Sequence, residues 1–439
     1  MRQGARYQAA IILLEQILTS RTPADNIVTQ YFRKSRYVGS SDRRVISNLV
    51  YEILRRHDEL SWYLQSIPPQ KAALARLLTL AFAFKIQQLT IQNIQELCKK
   101  NDGESNFFMD PLTPMEHLLL KDMERLKFED MPPSAQLNVT PWILKRIEST
   151  FGPQTEDTIR ALNQPAPFDL RVNTLKATRQ IVLEQLSGEG LEVTPTPWSP
   201  VGLRLSDRQP LTGHELWKNG ALEIQDEGSQ LLALLTEAKP GMTVMDYCAG
   251  AGGKTLAMAA TMENKGRIVA SDIATWRLTR SKERLRRAGA HNVEFRSLDD
   301  GSTTKWLKRQ AGRFDRVLID APCSGSGTWR RNPDMKRRLE EKDLEELVAK
   351  QEQILNQAHG LVKVGGRLIY ATCSLFAEEN DDQIRKFLAH QPNFKLLPIS
   401  QVWHSVLGTQ CPVTTDTLQL TPHLHNVDGF FVAVMERTS

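Results

Sequence analysis

Residues Thr243–Thr255 read "TVMDYCAGAGGKT". A short apolar run ends in an acidic residue, and a glycine-rich turn then leads into the start of a helix. Strand, tight turn and helix in that order open a parallel sheet wound by helices. The alternation continues downstream. "GRIVASDI" (266–273), "NVEFRSLD" (292–299), "FDRVLIDAP" (314–322) and "GGRLIYATC" (365–373) read as strands with helical segments between them, and "DGFFVAVMER" (428–437) reads as a final strand. The pattern predicts an α/β, Rossmann-like domain over 236–439, with a doubly wound, mostly parallel sheet.

Upstream the period changes. "ARYQAAIILLEQIL", "ALARLLTLAFAFKI" and "PMEHLLLKDMERL" carry apolar residues at helical spacing. In "SSDRRVISNLVYEILRR", Ser41 and Asp42 are candidate caps, and Val45, Ile46, Leu49, Ile53 and Leu54 share one face. No strand-like alternation precedes about residue 165. An all-α domain is expected over 1–135. A Pro-rich linker and a small α+β subdomain are expected over 136–235, where "FDLRVNT", "ATRQIVLEQLSGEG" and "LEVTPTPW" read strand, helix, strand.

Composition narrows the class. The chain has 439 residues, 41% hydrophobic and 24% charged, with a net charge of +5, so it is globular and compatible with a nucleic-acid partner. Five cysteines (98, 248, 323, 373 and 411) are odd in number and widely spaced. No CxxC pair or Cys/His cluster is present, which argues against a metal site and against a disulfide framework. A reducing cytoplasm fits this pattern. Glu15 and Gln16 interrupt the apolar start, so it reads as an amphipathic helix rather than a leader, and no apolar run is long enough to span a membrane.

The glycine loop invites two nucleotide readings, and both fail. A phosphate-binding P-loop requires Gly five positions before the Gly of GKT, where this chain has Cys248. The GxGxxG spacing of a dinucleotide site is absent. What remains is a loop with an acidic residue after the next strand, Asp272, suited to a ribose hydroxyl pair, and Asp299 or Asp300 after the third strand. A nucleoside without a phosphate cradle points to S-adenosylmethionine. A plain strand–helix turn with Asp272 as a cap is the competing explanation.

Cys323 and Cys373 each follow a buried-looking strand, with Asp320 three residues before the first. A lone cysteine is usually a small buried hydrophobe. Two at the ligand-binding edge of one sheet, beside a carboxylate, suit methylation of a pyrimidine carbon. Carbon 5 of cytosine is a poor nucleophile until a thiolate adds at carbon 6. An acid at N3 then assists, and a base must remove the carbon-5 proton so that the thiolate leaves. The residues alone leave open which thiol does which.

"DYCAGAGGKT", "IDAPCSGSGTWRRNPD", "YATCSLFAEEN" and "DGFFVAVMER" resemble the Sun/Fmu-type RNA 5-methylcytosine methyltransferases, and "LRVNT" and "QDEGSQLLALL" match the segments before their cofactor domain. "SDRRVISNLVYEILRR" resembles the NusB-like RNA-binding domain of the bacterial ribosomal-RNA subgroup. The resemblance implies Cys373 as nucleophile, Cys323 as the thiol that assists release, and Asp320 between target base and cofactor. It implies that Cys248, Ala249, Gly250, Ala251, Gly252, Gly253, Lys254, Asp272, Asp320 and an acidic residue best matched by Asp300 bind S-adenosylmethionine. It also implies an RNA substrate, small-subunit (16S) ribosomal RNA; a monomer is expected. The family's Ala-Pro before Gly-Gly is Gly250-Ala251 here, which should loosen the loop.

Three basic segments are candidates to grip RNA: "TWRRNPDMKRR" beside the thiol, the helix with Arg277, Arg280, Arg284 and Arg287, and "YFRKSRY" in the first domain. Charge runs of this kind are more often solvated faces. Two other functions fit less of the sequence: a transfer-RNA cytosine methyltransferase, and a non-catalytic RNA-binding or ribosome assembly factor. The second is disfavoured by the intact Asp320, Cys323 and Cys373.

Overall fold

A computed structural model describes residues 1–65, 74–99, 108–299 and 302–439. It divides into two compact units, Met1–Gln164 with Trp329–Leu339, and Pro165–Thr328 with Glu340–Ser439.

The first unit is helical. Helix Gln3–Thr19 supplies Leu13, Leu14 and Ile17 to its core, and Ser40–Arg55 adds Ile46, Val50 and Ile53, all buried. Stacking apolar stripes in this way is what makes such short helices stable. Ser41 and Asp42 are not the caps. The helix starts at Ser40 after Gly39, and Asp42 sits inside the first turn. Its carboxylate instead accepts from the Met1 ammonium at 2.9 Å and from Arg6 at 2.8 Å. Helices continue past residue 135, through Pro141–Phe151 and Thr155–Leu162.

The second unit holds two sheets. The smaller is antiparallel and contains β1 (Phe168–Val172), β2 (Val193–Pro195), β3 (Gly202–Leu205) and β4 (Leu222–Ile224), in the order β2-β3-β1-β4. The larger contains β5 (Thr243–Asp246), β6 (Arg267–Asp272), β7 (Val293–Ser297), β8 (Phe314–Asp320), β9 (Val362–Thr372), β10 (Phe394–Leu396), β11 (Leu418–Leu420) and β12 (Phe430–Arg437). Its order is β10-β12-β9-β8-β5-β6-β7, with β11 also on β12. Strands β5 to β9 pair in parallel, and β12 is antiparallel to β9.

Both faces of the larger sheet are covered. Val244, Ile268, Leu318 and Ile369 pack to one side with helix residues Leu231, Leu256 and Met258. Their chain neighbours Met245, Val269, Val317 and Leu368 pack to the other with Ile354, Leu355 and Phe387. This explains why the strands read as continuous apolar runs. From β5 the chain winds outward through β6 and β7, then crosses back to β8 and β9. The order therefore reverses between β5 and β8, and the crevice at their carboxyl ends is where such sheets bind ligands.

Candidate active site

The loop after β5 is fixed by its neighbours. Tyr247 N–H donates to Leu318 O and Ala249 N–H to Ser271 O, both at 2.8 Å. Gly250 adopts φ +54° and Gly252 φ +78°. At Gly252, which precedes helix Gly253–Thr261, a Cβ would lie 2.1 Å from Ser281 Oγ. Only glycine satisfies both constraints there. Although Pro is missing, hydrogen bonds hold the loop: Gly250 N–H to Asp272 Oδ2 at 2.9 Å, Gly252 N–H to Ala249 O at 2.9 Å, and Arg284 Nη1 to Ala251 O at 3.3 Å.

Acidic strand ends surround this loop. Asp272 is 5% exposed, and its other oxygen accepts from Ala274 N–H at 2.7 Å. Asp246 is fully buried. Thr255 Oγ1 donates to its Oδ2 at 2.6 Å, while Oδ1 has no partner. Burial pushes the Asp246 carboxyl up to about 7. The Thr255 hydrogen bond opposes this shift, and the charges on Asp320 and Asp272 add to it. The Cys248 thiol is driven far up by burial and then by Asp320, Asp246 and Asp272, so it stays protonated. Asp299 is exposed, and Asp300 lies outside the described residues.

Across the switch point, Lys254 Nζ donates to Asp320 Oδ2 at 2.7 Å, with the side chains 12% and 32% exposed. Burial pulls the Lys254 ammonium down, but Asp320 and then Cys373 more than offset this, and its net shift is upward. The register Asp320↔Ala371 brings the ends of β8 and β9 side by side. Cys323 Sγ and Cys373 Sγ consequently lie 3.4 Å apart, both half-buried. The Cys323 thiol is raised well above its ordinary value by its hydrogen bond with Cys373, by burial, and by the charges of Cys373 and Glu379.

The crevice thus unites Cys248–Lys254, Asp272, Asp320, Cys323 and Cys373. Sequence reasoning missed the polar set beneath the thiols: Ser324, Ser326, Ser374, Gln351 and Glu379, all buried. The serines were visible beside each cysteine, but nothing in "SLFAEEN" marks Glu379 as an interior group.

Two of the three basic segments are engaged within the protein. In "TWRRNPDMKRR", Lys336 is buried and donates to Asn163 Oδ1 at 2.8 Å and Arg55 O at 3.3 Å. Arg337 donates to Leu18 O, and Arg338 to Arg21 O and Thr22 O. They serve carbonyls at and just past the end of helix Gln3–Thr19, a place where acceptors lack intrahelical donors. Burial drags the Lys336 ammonium down to about 8. On helix Thr275–Ala288, Arg284 donates to the buried Glu223 at 2.7 Å, and Arg287 also pairs with it. Arg280 stays exposed, as do Arg33, Lys34, Arg36 and Tyr37 of the helical unit.

A Rossmann-like domain whose switch point carries a glycine loop, a Lys–Asp pair and two thiols in contact has the arrangement of a group-transfer enzyme. The comparisons agree and go further. A family model described as 16S rRNA methyltransferase RsmB/F matches residues 233–436, and one described as the RsmF/B-like ferredoxin-like domain matches 140–212. The probable ribosomal RNA small subunit methyltransferase B of Synechocystis sp. is 30% identical, over 98% of this chain and 99% of its own length. That of Bacillus subtilis is 29% identical over 98% and 97%. The crystal structure of PH0851 superposes with a TM-score of 0.78 at 27% identity, covering 100% of this chain and 99% of that one. A methyltransferase homologue from Pyrococcus horikoshii gives 0.59 at 27% identity, over 70% of this chain and 100% of its own. The chain belongs to the RsmB/F methyltransferase family. Among the described residues, no group of His, Cys, Asp and Glu is placed to hold a metal ion, and no helix is long and apolar enough to cross a membrane.

Proposed function

We propose that this protein is an S-adenosylmethionine-dependent RNA cytosine-5 methyltransferase acting in the cytoplasm on small-subunit ribosomal RNA. The observation that carries this reading is the 3.4 Å approach of the two thiols beside the Lys254–Asp320 pair. A site that needed one nucleophile would not place a second sulfur against it.

The residues around the glycine loop fit that cofactor. Three carboxylates, Asp246, Asp272 and Asp320, surround the loop, against Lys254 on Asp320 and Arg277 4.0 Å from Asp272, an acidic balance suited to a molecule with a sulfonium and an ammonium and unsuited to a polyphosphate. Asp246 Oδ1 is an orphaned acceptor, and the Cβ position of Gly250 opens onto empty space. Backbone groups of Cys248–Lys254 would hold the methionyl end and Asp272 the ribose, and the exposed Ile273 (53%) offers an apolar face to the base. Bound S-adenosylmethionine supplies an electrophilic methyl group.

The chain's own groups do the rest. The sulfur of Cys373 adds to carbon 6 of cytosine. Lys254 is the cation that interacts with that cysteine. One oxygen of Asp320 is held by Lys254; the other makes no hydrogen bond among the described residues and can meet N3. Carbon 5 then takes the methyl group. Cys323, whose raised thiol makes it a strong base once its own proton has passed to solvent, accepts the carbon-5 proton, and the bond to Cys373 breaks with that sulfur leaving as a thiolate. The cytosine must reach both sulfurs face-on, which requires an unpaired or flipped-out base.

Bisulfite sequencing of total RNA from cells with and without the gene tests the substrate. One cytosine of small-subunit ribosomal RNA should lose its protection in the deletion. Loss only at a transfer-RNA position, or nowhere, would overturn the reading.

A further inference from the structure

The thiol pair rests on a buried acid to which no role has yet been given. Glu379 closes the 3-10 turn Ala377–Glu379, is completely buried, and forms no ion pair with any described Lys or Arg. Its Oε1 accepts from Ser324 N–H and Gln351 Nε2, each at 2.8 Å. Its Oε2 accepts from Ser324 Oγ and Ser374 Oγ, each at 2.5 Å. Ser324 directly follows Cys323, and Ser374 directly follows Cys373.

We propose that Glu379 is a positioning residue of the methyl transfer: one carboxylate clamps the loop of each cysteine and thereby sets the distance between the two sulfurs. The inference rests on the two-thiol reading above.

The geometry favours a clamp over general structural glue. Both cysteine loops are irregular and emerge from parallel strands, so the β8–β9 ladder stops short of them: its register ends at Asp320↔Ala371. Beyond that point one backbone bond joins the loops, Gly327 N–H to Cys373 O at 2.9 Å, and the rest of the alignment comes from side chains. Four hydrogen bonds converge on a single carboxylate, three of them from the serines that flank the sulfurs. A second layer stiffens the same loops: Ser326 Oγ accepts from Leu375 N–H at 2.8 Å, and Gln351 Nε2 also donates to Pro322 O at 3.0 Å. A buried carboxylate without a cation persists only when its lone pairs are filled, and here they are. General structural glue would serve equally well with an apolar side chain. A carboxylate accepts four donors at once, and its charge also helps to raise the Cys323 thiol.

The test uses the full chain, with Glu379→Ala, Glu379→Gln and Ser374→Ala. Phenylarsine oxide, which bridges only closely spaced thiols, reads the sulfur–sulfur geometry directly. Steady-state methylation of ribosomal RNA reads its consequence. Glu379→Ala should lose arsenical capture at Cys323/Cys373 and drop kcat by about a hundredfold, with KM for RNA and cofactor nearly unchanged, the pattern of lost alignment. Glu379→Gln, whose serine hydroxyls can turn to meet an amide, should recover capture and much of kcat. If Glu379→Ala does not fold, Ser374→Ala removes one bond of the clamp, together with the Phe376 N–H and serine contacts of the same hydroxyl, and should lower kcat about tenfold at constant KM. Unchanged capture and kcat in the folded variants, or a fall in kcat matched by a rise in both KM values, would overturn the proposal. If capture follows Glu379 while the native protein methylates no cytosine, the clamp stands and the functional reading falls.

Discussion

Asp246 offers a quantitative check on the electrostatics of the cofactor loop. Its carboxyl is fully buried, has one orphaned oxygen, and sits at about 7 rather than 3.8. A carboxyl raised by folding binds its proton more tightly in the native state than in the unfolded one. The native state is therefore progressively disfavoured as pH rises from about 4 to about 7, and the penalty levels off above that. Between pH 5 and pH 8 this single group should cost about 2–3 kcal/mol, from 1.36 kcal/mol per pKa unit weighted by the ionised fractions. Asp246→Asn keeps an acceptor for Thr255 Oγ1 and removes the ionisation. Urea unfolding of both proteins at pH 5 and pH 8 isolates the term, because every other titrating group cancels in the difference. The variant should gain about 2–3 kcal/mol on the native protein over that interval. Equal gaps at the two pH values would refute the argument. A gap that widens in the opposite direction would mean that Asp246 is paired with a cation the structure does not place there.

Other expectations follow from the same geometry. Lys254→Met removes the cation of the site and a 2.7 Å charged hydrogen bond, worth about 1.5–3 kcal/mol, so kcat should fall about ten- to a hundredfold in a tritiated-methyl transfer assay. Gly252→Ala must hold a side chain at φ +78° and 2.1 Å from Ser281 Oγ; S-adenosylhomocysteine affinity by calorimetry should drop at least about tenfold, and Ser281→Ala should restore only part of it. Hydrogen peroxide should close a Cys323–Cys373 disulfide, one peroxide giving two waters, with activity lost and recovered by dithiothreitol and the bridge visible by peptide mass spectrometry.

Much of this structure was legible in the sequence, and the failures share a physical cause. Strands β5, β6, β7, β8, β9 and β12 announced themselves as apolar runs between turn residues because both faces of their sheet are buried. Strands β3, β10 and β11 did not, since three or four residues carry too little pattern. The cysteine pair was readable because each thiol lies just beyond a strand, where topology places ligands. The contact between them needed the β8–β9 register, which no local pattern encodes. Glu379 looks like an ordinary surface acid in "SLFAEEN", because its partners Ser324 and Gln351 are 55 and 28 residues away. The basic run at Lys336–Arg338 was misjudged for the same reason. Its acceptors on and beyond helix Gln3–Thr19 lie more than three hundred residues earlier, so a run that suits phosphate turns out to cap a helix.

The two sulfurs divide the labour of addition and release, and a denaturing gel tests that division. Native protein, Cys323→Ala and Cys373→Ala are each incubated with target RNA and S-adenosylmethionine, then resolved in detergent. A slow-migrating, RNase-sensitive adduct is expected with Cys323→Ala, since addition proceeds and elimination stalls, and neither adduct nor methylation with Cys373→Ala. An adduct that survives in Cys373→Ala and is absent in Cys323→Ala would contradict it.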